Sequence, residues 1–228
     1  MTLARPLFAL SMAALIAAGT ALAPAQQAIA QSRAAPRAPA PAPAPALTGD
    51  LLRVQQHLSA MTTLVADFTQ TDRRGAVQSG RLTLRQPGHI RFQYAPGNPL
   101  LIVADGRSLT LIDYEVRQVQ RWPIRNSPLS VLIDPGANLV RYGRLNDTGH
   151  AGTISIEVRD PARPEYGMIT MVFERDAAAP AGLRLYGWVA LDAQRQRTTI
   201  RLTNARYGTA VADSMFRWRD PRTATRGR

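Results

Sequence analysis

Cysteine is absent from the 228-residue chain. That excludes disulfide scaffolds, thiolate metal sites, cysteine nucleophiles and a lipidated N-terminal cysteine together. Lysine is absent as well, since all 28 cationic side chains are arginine, against 16 carboxylates. Aromatic residues are sparse, at 6%. The three histidines, His57, His89 and His150, show no ligand spacing between any two. They fall on a helix, a strand edge and a loop, where solvated side chains are expected rather than metal ligands. No Ser/His/Asp order, glycine-rich phosphate loop or close pair of core-facing carboxylates stands out. Asp160, Asp192 and Asp220 sit in turn contexts, where acids are ordinary. No catalytic residue, metal or cofactor is therefore nominated, and the chain is not expected to be an enzyme.

What is present begins with an export signal over residues 1–30. Arg5 supplies a small positive region, Leu7 to Ala18 an apolar run, and Ala28-Ile29-Ala30 a small-x-small cleavage pattern before Gln31. The run is short of the roughly 20 apolar residues of a stable membrane anchor, so an exported, soluble mature protein is expected. Residues 31–46 read QSRAAPRAPAPAPAPA, and alternating proline favours an extended spacer or tail with no core. The net charge of +12 would ordinarily raise nucleic acid as a partner. Export argues against that. Residues 47–228 still hold 25 arginines against 16 carboxylates, or +9, which suits acidic proteins or an anionic membrane surface.

The globular part is expected over residues 47–221, with a basic tail at 222–228. Thr48 to Leu64 is helical in pattern, with Leu51, Leu52, Gln55, Leu58 and Met61 at 3–4 spacing and Thr48 able to cap. The period then switches to two. Leu82 and Leu84 alternate with Arg81, Thr83 and Arg85, and Ile90, Phe92 and Tyr94 repeat the alternation after the Pro87-Gly88 turn. Asp105-Gly106 marks a hairpin. Further strands follow at 116–121, 153–158, 168–173, 183–191, 198–205 and 215–218. Ser127-Pro128 opens a short inserted helix. The expectation is a mainly β protein, a single large antiparallel sheet of about 10–11 strands curled into a half-barrel or barrel, with one helix before it and one inserted. Arg81, Arg85, Arg91, Arg201 and Arg217 take the polar phase and are expected on a solvated outer face. Phe92, Tyr94 and Phe216 take the opposite phase, so no aromatic stacking platform for nucleic acid is offered.

Several segments together resemble the LolA family of periplasmic outer-membrane lipoprotein carriers. They are Leu64-Val-Ala-Asp-Phe-Thr-Gln70, Ser79-Gly-Arg-Leu82, Pro87-Gly-His-Ile-Arg-Phe-Gln-Tyr94 and Leu101-Ile-Val-Ala-Asp-Gly106. Ser127 to Leu132, Leu185 to Asp192, Thr198 to Leu202 and Phe216 to Pro221 continue in the same order, so the likeness spans about residues 51–221. The resemblance implies a half-barrel closed by helices that holds the acyl chains of lipoproteins in an apolar cavity. It also implies an inner-membrane lipoprotein-releasing ABC transporter as donor and delivery to the outer membrane, with a separate outer-membrane receptor or unaided delivery both open; a monomer is expected.

Under that reading the inward-phase residues Leu82, Leu84, Ile90, Phe92 and Tyr94 line the cavity. Leu51 and Leu58 on the first helix, with Leu129 and Leu132 on the inserted one, form the lid. From patterning alone, the same residues would equally form a sealed core. The family usually places arginine directly before the proline of the Pro-x-x-x-Arg-Phe-x-Tyr segment, where it holds the lid carbonyls. Here that position is Gln86. Arg85, one residue earlier, points to the opposite face. Two alternatives stay open: a lipid- or lipoprotein-sensing regulatory module of the same fold, and a lipid-modifying enzyme on a β-barrel.

Overall fold

The computed structural model describes residues 49–124, 129–133, 139 and 141–225. The expected export signal, the Ala-Pro segment and the caps at Thr48 and Ser127-Pro128 lie outside the described residues. The order is α1 (Gly49–Ala60), β1 (Thr63–Thr71), β2 (Val77–Arg85), β3 (His89–Tyr94), β4 (Leu100–Asp105), β5 (Ser108–Asp113) and β6 (Gln118–Pro123). Then come α2 (Ser130–Ile133), β7 (Gly143–Asn146), β8 (Thr153–Arg159), β9 (Met168–Arg175), β10 (Leu183–Leu191) and β11 (Arg197–Tyr207). Short 3-10 turns at Asp213–Phe216 and Pro221–Thr225 follow.

All eleven strands join one antiparallel sheet in the order β6-β5-β4-β3-β2-β1-β11-β10-β9-β8-β7. The chain runs outward from β1 to β6, crosses to the far edge through the stretch holding α2, and returns from β7 to β11. Pairing of β1 with β11 joins the two meanders at the centre. The edge strands β6 and β7 stand at opposite ends of the order, so the barrel is unclosed. Register shifts at Val65/Asp67 in β1 and at Leu185/Gly187 in β10 add the local twist that curls a sheet. Glycine permits close approach of neighbouring strands at two places. A Cβ on Gly80 would lie 2.1 Å from the Gln93 carbonyl oxygen, and one on Gly187 would lie 2.2 Å from that of Ile200.

Period-2 alternation builds the core. Leu64, Ala66 and Phe68 of β1 face Leu82 and Leu84 of β2 and Ile90 and Phe92 of β3 on one side. From the other half come Ile154, Ile156, Ile169, Met171, Phe173, Leu185, Trp188, Ile200 and Leu202. Both helices pack on this inner face, through Val54 and Leu58 of α1 and Val131, Leu132 and Ile133 of α2.

Several expectations are corrected. The first helix ends at Ala60 rather than Leu64, and its buried stripe is Val54, His57 and Leu58; Leu52 is exposed. The 116–121 strand lies two residues later, at Gln118–Pro123, and β7 was not foreseen. Residues 215–218 form no strand. They belong to a segment lying on the outer face of β3–β5, where Phe216 packs with Leu101, Val103 and Ile112 in a second apolar cluster. Arg85 and Arg91 are consequently not simply solvated. Arg85 donates to the Val211 carbonyl and pairs with Asp213, while Arg91 donates to the carbonyls of Met215 and Arg217, each at 3.1 Å. Arg81 and Arg201 do face solvent. Arg217 is exposed too, but on that segment rather than on a strand.

Candidate functional site

The concave face of the half-barrel carries the site. Leu82, Leu84 and Ile90 are fully buried on it, and Phe92 and Tyr94 are buried beside them. Their aromatic rings form a connected row: Phe68 meets Phe92 edge-on at 5.4 Å and Tyr94 at 5.2 Å, and Phe92 meets Trp188 at 6.2 Å. Edge-to-face contacts of this kind add about 0.5–1.5 kcal/mol each beyond area burial. Leu58 and Leu132 are fully buried against this face, whereas Leu51 and Leu129 are half-buried at its margin. The face is therefore filled by the two helices.

The attachment of α2 is polar and slight. Gln86 shares phase with Leu82 and Leu84, and its amide Nε2–H donates to the Leu132 carbonyl at 3.1 Å. The Gly88 N–H donates to the Ile133 carbonyl at 3.2 Å. Arg85, in the opposite phase, lies on the outer face with Val211 and Asp213. Two neutral hydrogen bonds and three buried apolar side chains are among the contacts of this single turn of helix. Neutral bonds are worth roughly half of charge-assisted ones.

α1 is held differently, and here the expectation for a histidine is overturned. His57 is fully buried, not solvated. Its ring meets Phe173 and Tyr207 edge-on at 5.4 and 5.5 Å, and its Nδ1–H donates to the Pro180 carbonyl at 2.8 Å. Its Nε2 has no partner among the described residues. Burial holds the imidazole pKa below its ordinary 6.5, opposed by the Pro180 and Leu183 carbonyls. A signal existed, since Val54, His57, Leu58 and Met61 share one face at helical spacing. A group whose pKa is lower in the fold is protonated first in the unfolded chain, so stability falls as pH drops below 6.5. The loss levels off beneath the folded-state pKa. Urea titrations between pH 7.5 and 5 are expected to show this slope in the wild type. In His57→Asn, which keeps a donor toward Pro180, the slope should be shallower.

At the strand ends away from the helices, the Tyr94 hydroxyl donates to Gln70 Oε1 at 2.8 Å. Burial pushes the Tyr94 pKa up to about 12, so it stays a neutral donor throughout the physiological range. The buried polar side chains are His57, Thr63, Thr83, Thr110 and Ser155. No buried carboxylate, and hence no inward-facing acid and base pair, occurs among the described residues. No group of three or more metal-ligating side chains occurs among them either. The described helices include none long and apolar enough to cross a membrane. What the arrangement can do chemically is shield apolar chains.

The family model described as "Outer membrane lipoprotein carrier protein LolA" matches residues 59–219. The chain belongs to the LolA family. An outer-membrane lipoprotein carrier protein of Chromobacterium violaceum is 29% identical over 229 residues, covering 96% of both chains. One from Xanthomonas axonopodis pv. citri is 31% identical over 174 residues, covering 68% of this chain and 77% of its own. Among solved structures, an uncharacterized conserved protein from Thermus thermophilus is similar at a TM-score of 0.46 and 13% identity, over 75% of this chain and 93% of its own. The LolA-family match takes in the concave strands and α2, together with most of the segment lying on the outer face of the sheet.

Proposed function

We propose that this protein is a periplasmic carrier of acylated lipoproteins. It holds their acyl chains against the concave face while they cross from an inner-membrane ABC transporter to the outer membrane. Residues 1–30 act as the export signal, and residues 31–46 as a spacer. The observation that carries this reading is an apolar inner face covered by a short helix, α2. α2 presents Val131, Leu132 and Ile133 to that face, and its Leu132 and Ile133 carbonyls accept from Gln86 and Gly88. An acyl chain carried through water exposes roughly 0.8 kcal/mol per CH₂, so a shielded route is needed. A plug that mimics the cargo's chemistry keeps the same surface covered when the carrier is empty. Leu82, Leu84, Ile90, Phe92 and Tyr94 become the cavity wall once α2 withdraws, with Leu51, Leu58, Leu129 and Leu132 as the lid. Shielding requires no catalysis.

Mixing the purified protein with a fluorescent acylated peptide in detergent-free buffer tests this. Co-elution of a one-to-one complex is expected, and an acylated peptide left wholly in micelles or aggregates contradicts it.

Gln86 sets how firmly the plug is seated. Gln86→Arg restores a charged donor to the Leu132 carbonyl and should strengthen the closed form by about 1–2 kcal/mol. Stopped-flow uptake and release of a fluorescent fatty acid should slow by roughly tenfold. Unchanged rates in both directions would show that Gln86 does not latch α2.

A further inference from the structure

The concave face turns polar at the end away from the helices. α1 runs directly into the start of β1, and α2 is bonded beside the end of β2, so both helices occupy the same end of the half-barrel. Gln70 is seven residues beyond Thr63 along β1, roughly 23 Å at strand rise. There it stands directly opposite Gln78 of β2. Both glutamines are in the inward phase: Gln70 with Leu64, Ala66 and Phe68, Gln78 with Leu82 and Leu84. Tyr94 of β3 reaches Gln70 across β2 at Gly80, which has no side chain to block its ring. The Gln70 carbonyl thus receives the Tyr94 hydroxyl. The Gln78 carbonyl Oε1 receives nothing: it is shut off from solvent and has no donor among the described residues.

A buried acceptor without a donor is costly, and native proteins rarely leave one unless something else satisfies it. It calls for an N–H. We propose that Gln78, steadied by Gln70 and Tyr94, is the subsite that reads the head of an acyl chain. It accepts the N–H of the amide that links the chain to a polypeptide and so distinguishes amide-linked from ester-linked chains. This rests on the carrier reading above and adds a substrate preference to it. The aromatic row Tyr94, Phe68, Phe92 and Trp188 lies beside this subsite and crosses the concave face from β3 to β10, with Trp188 level with Gln70 through Ile200. A chain whose head is bound at Gln78 would lie against that row, run along β2 past Leu82 and Leu84, and displace α2 with its tail. Sites built to hydrogen-bond a particular N–H discriminate strongly against analogues lacking it, because the acceptor is otherwise left unpaired.

Two probes test this on the whole mature protein. One is a palmitoyl chain joined by an amide to a glycyl tripeptide. The other has glycolate for the first glycine, so an ester oxygen replaces the amide N–H. Dissociation constants come from displacement of a fluorescent fatty acid. The wild type should bind the amide probe about tenfold more tightly, equivalent to about 1.4 kcal/mol. In Gln78→Met, which keeps an unbranched chain of similar length, the ratio should fall to about one. A wild-type ratio below about two overturns the proposal without needing any variant. So does a tenfold ratio that persists in folded Gln78→Met. Equal binding of both probes removes the subsite alone, whereas failure of both probes and of palmitate removes the carrier reading and the subsite with it.

Discussion

Leu132→Glu is expected to unseat α2 from the inner face while the eleven-stranded sheet stays folded. Leu132 is fully buried in the main cluster between Val131 and Ile133. A carboxylate there would be desolvated among apolar neighbours, at a cost of several kcal/mol. Undocking the turn costs less than burying the charge. What is lost is the burial of three aliphatic side chains, at roughly 1.5–3 kcal/mol each, and the bonds from Gln86 and Gly88. Release of the four-residue turn returns about 1–2 kcal/mol of backbone entropy per residue, and a net loss of about 4 kcal/mol corresponds to a fall in Tm of roughly 8–16 °C for a domain of this size. An apolar dye should bind the exposed face and brighten, and an acylated peptide should be captured faster, because the turn it must displace is already unseated. Leu129→Glu should act in the same direction more mildly, since Leu129 is half-buried at the margin. Calorimetry and dye titration read both effects. A Leu132→Glu protein with wild-type Tm and no dye binding would place α2 away from the core.

Gly80→Ala is the second large effect. Its Cβ would stand 2.1 Å from the Gln93 carbonyl oxygen and 2.7 Å from the Tyr94 Cα, well inside van der Waals contact. Both obstacles are backbone, so no side-chain rotation relieves the clash. The strands β2 and β3 must part where Gly80 pairs with Tyr94. Overpacking of this kind costs roughly 1–3 kcal/mol, and a rigid obstacle puts the cost toward the upper limit. Gly152→Ala is the control. A Cβ there meets nothing within 4 Å, so its change should stay within about 0.5 kcal/mol. Urea denaturation midpoints compare the two. Equal midpoints would show that β2 and β3 do not approach so closely at Gly80.

The fold class was legible because a sheet with one buried face leaves a strict period of two. That regularity put Leu82, Leu84, Ile90, Phe92 and Tyr94 on the inner side without any further information. It failed where pairing or packing leaves no such pattern. β7, Gly143–Asn146, carries a single large apolar residue, Leu145, and that residue is exposed. Its backbone pairing with β8 therefore had no hydrophobic signature. The outer-face segment around Phe216 was misread as a strand, yet β4 held a clue. Leu100 to Ala104 is apolar at every position, which is how a strand covered on both faces reads. His57 was set aside because a histidine on a helix is ordinarily solvated, although its spacing from Val54 and Leu58 placed it on the buried stripe. The link from Tyr94 to Gln70 could not be read at all. It crosses an intervening strand and depends on the missing side chain of Gly80.

Native mass spectrometry of the protein recovered from the periplasm of its own cells tests the carrier proposal most directly. A carrier in steady traffic is expected to show, beside the bare mature chain, a population heavier by the mass of an acylated polypeptide. Dissociation in the gas phase should release acyl-bearing fragments. The heavier population should shrink when lipoprotein release from the inner membrane is blocked. A protein that is uniformly bare under both conditions, or that turns over added lipid without retaining any, would contradict the carrier function.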